Sequence, residues 1–299
     1  MYAADDPRSK LASASPKKAT PLAFHDAQRQ FYYEDAPQES SELGRVWYAR
    51  GQNLVTVYAD VKAGYSFKRA AQIDEYVVLI PDRETKVRVA AGNDQQLVDG
   101  NSVVMVPPGR SEVEVLADGV IVILATTRSA DLVARCANAA SYAAPDPNVA
   151  DFEAWPPARE AGRIHAYSLD VPPEEGRFGR IFRCSTVMVN CFEPAGPRPV
   201  DKMSPHHHDD FEQYSLVLNG EFTHYLRWPW NTDMNSWKED EAVVCGGPSV
   251  TVIPPPVIHT TRAAGPSNNI MVDVFSPPRH DFAQKAGWVL NEGDYQPPA

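Results

Sequence analysis

Three histidines and one amide carry the chemistry open to this chain. The segment Ser204-Pro205-His206-His207-His208-Asp209-Asp210-Phe211-Glu212-Gln213-Tyr214 runs into an apolar stretch that ends at Asn219-Gly220, and Pro254-Pro255-Pro256-Val257-Ile258-His259 follows later. In extended backbone alternate side chains share a face, so His206 and His208 can point at one centre while His207 points away. Asn219-Gly220 is a hairpin signal. His259 brings a third imidazole from a Pro-rich turn. Three imidazoles with one oxygen donor, from Glu212 or Gln213, suit a divalent transition metal with open coordination positions. That is the footprint of a catalytic rather than a structural metal.

The two segments resemble the paired motifs of the cupin superfamily. The first motif reads His-x-His, three or four residues, Glu or Gln, six residues, Gly. The second reads Gly, a short strand, Pro-x-Gly, two residues, His. His206, His208, Gln213 and Gly220 match the first, and Gly247, a strand over 249–253, Pro254-Pro255-Pro256 and His259 match the second. Two departures stand out. Gln213 replaces the commoner Glu, with Glu212 one residue off register, and a proline replaces the glycine of the second turn. Gln213 is preferred to Glu212 because it keeps the spacing to Gly220. The resemblance implies one divalent metal held by His206, His208, Gln213 and His259, with Fe(II) first and Mn, Ni or Zn as alternatives. A neutral amide leaves such a centre one unit more positive than a glutamate would.

Bulk properties narrow the classes. At 299 residues the chain can bury one large core or two ordinary ones, and 27 prolines point to many short strands and turns. The net charge of −11 disfavours an electrostatic grip on nucleic acid or anionic lipid. Apolar runs such as Val120 to Ala125 are strand-sized, too short for a membrane span. The N-terminal stretch lacks the apolar core of a signal peptide, and Cys136, Cys184, Cys191 and Cys245 show no CxxC spacing. A reduced, cytoplasmic protein is the expectation. Phosphate-cradling glycine loops, a G-x-S-x-G elbow and HExxH are all missing.

The elements that must position the histidines are strands. β-Branched runs bounded by Gly, Pro, Asp and Asn recur from Arg45 onward, which predicts an all-β sandwich or barrel. Residues 1–21 read as a loose tail, 22–128 as a first barrel, 129–165 as a linker with one short helix (Ala130 to Ala140), and 166–299 as a second barrel with a C-terminal tail. The two halves repeat one another. Asp74-Glu75-Tyr76 aligns on Glu212-Gln213-Tyr214, and Val106-Pro107-Pro108-Gly109 on Ile253-Pro254-Pro255-Pro256. Lys68, Ala70 and Glu112 then fall where His206, His208 and His259 stand, so the first copy cannot build the site. Together with the resemblance, this predicts two tandem cupin-type (double-stranded β-helix, jelly-roll) barrels with the metal in the second.

Further site candidates lie on the strand leaving Gly220. Either His224 with Phe222, or Tyr225 with Thr223 and Arg227, lines the cavity. An inward Tyr225 or Arg227 would suit an anionic substrate. Arg183 and Asn190 can also reach inward. Trp228, Trp230 and Trp237 form either a lid over the pocket mouth or ordinary packing. Cys184 and Cys191 read as core thiols. The expected partner is a small organic molecule with an oxygen donor, without nucleic acid or membrane, and a homodimer is compatible. The resemblance in layout to bicupin dioxygenases, together with neutral ligands that leave the metal electron-poor and attractive to an anionic substrate, implies a dioxygenase using Fe(II) and O₂. A non-redox isomerase, lyase or decarboxylase is the alternative, and a non-catalytic binding protein is the third reading.

Overall fold

A computed structural model describes residues 24–298, and the tail expected over 1–21 lies outside the described residues. Strands dominate, and they form two pairs of sheets. The first half pairs a seven-stranded sheet, built on Leu54–Val61, Tyr76–Ile80, Ser102–Val106 and Gly119–Thr126, with a four-stranded sheet built on Ser66–Gln72 and Gly109–Ala117. The second half pairs a six-stranded sheet, centred on Gln213–Asn219, Ser249–Ile253 and Ile270–Phe275, with the three strands Glu221–Arg227, Glu241–Gly246 and Ile258–Ala263.

The pairing does not divide the chain where the sequence boundaries do. Gln28–Phe31 lies against Ser249–Ile253 of the second half, and His165–Ser168 lies against Ser102–Val106 of the first. Each half lends the other a strand, so neither the start at residue 22 nor the linker end at 165 marks a real division. The linker itself carries a short helix, Ala130–Val133, and a separate 3-10 turn, Ala139–Tyr142, in place of one continuous helix.

The larger sheets of the two halves pack against each other through their outer faces. Trp47, Tyr58, Leu79 and Leu124 of the first meet Tyr214, Leu216, Val250 and Val272 of the second in one shared core. Sheets covered on both faces explain uninterrupted apolar runs such as Ser102–Val106, in which Val103 and Met105 face the shared core and Val104 and Val106 face inward. Inside the first barrel the filling is mainly apolar, with Val57, Val78, Ile80, Val104 and Ile123 among it, and the Tyr76 hydroxyl and Ser111 Oγ pair with each other at 2.9 Å. The second barrel differs. Its inward row across the large sheet is Thr251, Ser215, Asp273 and Asn190, register partners on neighbouring strands. One fold thus encloses two interiors, and only the second is polar enough to receive a polar ligand.

The register also adjusts the repeat. Tyr76 pairs with Val106 as Gln213 pairs with Ile253, so the structural counterpart of Gln213 is Tyr76, one residue beyond the Glu75 that the sequence alignment chose. A one-residue slip exchanges the two faces of a strand. Tyr76 accordingly fills the first barrel, while Glu75 turns outward to accept from the Ser185 amide at 2.8 Å and the Tyr295 hydroxyl at 2.9 Å. Lys68 faces Glu112 across its ladder with a 3.2 Å ion pair, where His206 and His259 form a bridge in the second half.

Candidate metal centre and its cavity

The loop before Gln213–Asn219 is tied to Ile258–Ala263 by a two-way backbone bridge: His206 N to His259 O at 3.0 Å, and His259 N to His206 O at 2.7 Å. This bridge fixes two imidazoles side by side. The alternation of extended backbone brings His208 onto the same side, against Phe211 and Phe275. Ring nitrogens of His206, His208 and His259 all lie within 4.8 Å of one another. His207 points away toward Asp209, at 3.4 Å.

Gln213, not Glu212, joins them. Its Oε1 lies 2.9 Å from His208 Nε2 and 3.3 Å from His259 Nε2. Its amide nitrogen donates to Ser215 Oγ at 3.1 Å and to Asp273 Oδ1 at 3.2 Å, which fixes the oxygen toward the rings. Glu212 faces the opposite way. It accepts from the Gln52 amide and from the hydroxyls of Tyr142 and Tyr214, and burial still pushes its carboxyl up to about 7.

The donor chemistry fits a cation. His206 Nδ1 is 2.9 Å from Ser204 O, and His259 Nδ1 is 2.9 Å from Val257 O. A carbonyl only accepts, so each Nδ1 carries a proton, which leaves Nε2 as the ligand atom of each ring. Two lone pairs and an amide oxygen then converge with too few hydrogens between them. Burial lowers the His208 imidazole to about 3 and the His259 imidazole to about 4, so these two rings stay neutral, as metal ligation requires.

The cluster opens onto a cavity of about 620 Å³. His206, Gln213 and His259 line one part of it, Phe222, Ala263 and Met271 an apolar wall, and Asp273 a polar one. Asp273 gave no signal as a motif, yet a lone acid inside the apolar strand Ile270–Phe275 marks it. Burial pushes its carboxyl up to about 7, although Ser215 donates to it at 2.9 Å and the Arg279 charge opposes the rise.

The strand Glu221–Arg227 selects the first of the two sets left open by alternation. Phe222 and His224 are buried, whereas Tyr225 and Arg227 are exposed, with Arg227 paired to Asp240 at 3.0 Å. Tyr225 and Arg227 therefore lie outside the cavity, because Gly220 sets the register that turns them to solvent. His224 points inward, with Nδ1 2.8 Å from Thr261 Oγ1, but it is not part of the cavity wall. Arg183 is also diverted, stacked on Trp155 and Tyr295. None of the three tryptophans forms a lid. Trp228 packs with Phe24, Leu226 and Val257, while Trp230 stacks on Trp237 at 4.7 Å away from the cavity. All four cysteines are buried and free.

His224 supplies a test of this interior. Burial holds its imidazole down at about 3 from an ordinary 6.5. The unfolded chain takes up that proton below about pH 6.5 and the folded one does not, so stability falls as pH drops through this window. His224→Leu is expected to flatten the acid limb by about 1.4 kcal/mol per pH unit between about pH 4 and 6. Urea unfolding of both proteins at several pH values measures it, and an unchanged limb would refute the burial argument.

No family model matches the chain, and no curated sequence matches it. Solved structures do. Oxalate decarboxylase from Lactobacillus farciminis in its formate complex superposes with a TM-score of 0.56 at 15% identity, covering 84% of this chain and 86% of that one. Oxalate decarboxylase from Bacillus subtilis, described for its Mn(II) centres, gives 0.54 at 11% identity over 90% and 84%. AerE from Microcystis aeruginosa gives 0.53 at 8% identity over 80% and 94%. At these identities the likeness defines the fold: this is an all-β chain of cupin-type architecture. Among the described residues no helix is long and apolar enough to cross a membrane.

Proposed function

We propose that the chain is a metal-dependent enzyme with its single metal centre in the C-terminal of two tandem cupin barrels, acting on a small carboxylate-bearing molecule by non-redox chemistry. Decarboxylation or a related lyase or proton-transfer reaction is its class. One observation carries this reading: a cluster of donors, none of them anionic, and a buried carboxyl, Asp273, open onto one cavity. His206, His208, Gln213 and His259 would hold a divalent ion, which supplies Lewis-acid polarisation of a bound carboxylate or enolate oxygen. Because none of the four donors is anionic, an anionic substrate is the first negative charge to enter the centre. Breaking a bond beside a carboxylate leaves a carbanion that must gain a proton. Asp273, with one oxygen fixed by Gln213 and Ser215, is suited to hold and deliver that proton. Phe222, Ala263 and Met271 give the same cavity an apolar wall.

The neighbours named as decarboxylases support this class over the dioxygenase expected from layout, and the Mn(II) centres of one support Mn(II) over Fe(II). Four buried free thiols are in keeping with a cytoplasmic setting. The test is untagged protein, purified without oxygen, reconstituted separately with Mn(II), Fe(II), Ni(II) and Zn(II), and offered small carboxylic acids. Product without matching oxygen uptake is expected. Oxygen consumed in step with turnover would overturn the non-redox class, and a rise in Tm without product would make this a binding protein.

A further inference from the structure

The inward row that carries Asp273 continues past it. Asp273 pairs with Ser215 on one neighbouring strand and with Asn190 on the other. Ser215 and Asp273 are bonded to each other and to Gln213. Asn190 is different: it is fully buried, and among the described residues neither its Oδ1 nor its Nδ2 has a hydrogen-bond partner. A buried amide unpaired at both ends is costly and unusual, and an apolar side chain of the same shape would pack at least as well. Packing therefore does not account for it.

What separates Asn190 from the cavity is a glycine. Gly179 lines the cavity and lies directly against the amide, so that a Cβ there would come 2.1 Å from Asn190 Oδ1. Gly176 and Gly179 have φ of 82° and 77°, values that favour glycine, so at 179 no side chain stands between the amide and the cavity.

We propose that Asn190 is a substrate-recognition residue, offering its amide beside Asp273 to a neutral oxygen group of a small acid whose carboxylate occupies the histidine cluster. The inference rests on the metal-dependent reading above and names its substrate class: hydroxy monocarboxylates in preference to dicarboxylates. An amide both donates and accepts, as a hydroxyl does, and the two match completely. A second carboxylate can use only the donor, and it would also face the Asp273 carboxyl. Neighbouring strands are about 4.8 Å apart, so Asn190 acts roughly one strand beyond a group already bonded to Gln213. That reach fits a hydroxyl two or three bonds from the carboxylate.

The experiment compares wild type with Asn190→Leu, both loaded with Mn(II), using 2- and 3-hydroxypropionate, propionate and malonate as probes. Wild type should bind one hydroxy acid at least about tenfold more tightly than propionate. Asn190→Leu should lose that ratio, bind Mn(II) as before, and keep a metal-free Tm equal to or above wild type, the reverse of a structural role. Asn190→Ala provides the same readout if leucine does not fit. A ratio retained in the variants, or a lower metal-free Tm with the ratio unchanged, overturns the proposal. Metal bound by wild type without hydroxyl preference overturns this inference alone. No metal uptake by wild type overturns the metal-dependent reading and this inference together.

Discussion

His206→Ala/His208→Ala is expected to lower affinity for a divalent metal by at least about a thousandfold. Loss of a single outer partner of a metal ligand costs about 10- to 100-fold, and here two direct donors of four are removed. The fold should survive. His206 is exposed, and loss of the buried His208 ring removes its packing on Phe211 and Phe275 and its contact with Gln213 Oε1 while leaving the strand ladders intact. Metal content by elemental analysis, with metal-free Tm beside it, checks both statements. Lys68→Ala/Glu112→Ala in the first barrel is the matched control, since it breaks an exposed pair worth about 0–1 kcal/mol. That control should keep its metal. Full occupancy of the histidine variant would end the assignment of the centre.

Gln213→Glu, which restores the commoner residue of the motif, is expected to damage the protein. The Gln213 amide is a donor to Ser215 and to Asp273, and a glutamate can give neither bond when ionised. It would instead set a second carboxylate about 3 Å from the first in a buried wall, where one of the pair must hold a proton. We expect the metal-free protein to lose about 2–3 kcal/mol of stability at pH 7. The loss should grow as pH rises and both groups are driven to ionise. Exchanging the partners, Gln213→Glu with Asp273→Asn, returns a donor–acceptor pair with the original total charge. The double variant should recover most of the loss, giving a coupling of about 1–3 kcal/mol in a double-mutant cycle. Additive effects would mean that Gln213 is not selected by Asp273.

Much of this arrangement was legible in the chain, because the informative features are local. His206 and His208 are two residues apart, a spacing that extended backbone turns to one side, and the spacing of Gln213 and His259 to the motif glycines picked out the other two. The strand runs likewise announced an all-β fold. What escaped was parity. Whether His224 or Tyr225 turns inward depends on how the backbone leaves Gly220, and period-two alternation permits either answer. The same ambiguity slipped Glu75 onto Gln213, because Glu75 and Tyr76 differ by one residue and by a whole face of the sheet. Asp273 escaped for another reason. Its partners, Gln213 and Ser215, lie on a different strand, and only the register of that pair brings them together. The lent strands were also invisible, since short segments such as Gln28–Phe31 carry no mark of which sheet will accept them.

Those lent strands make the two barrels a single thermodynamic object. Releasing Gln28–Phe31 strips an edge from the sheet that carries Ser249–Ile253, and releasing His165–Ser168 strips the opposite half. Melting of either barrel withdraws a strand from the other and exposes the core they share. Unfolding should accordingly proceed in one cooperative transition in spite of the internal duplication, and a cut between the halves would yield two fragments that each lack an edge and hold one belonging to the other. The first barrel is then no spare copy: its integrity is what keeps the walls around His206, His208 and His259 standing.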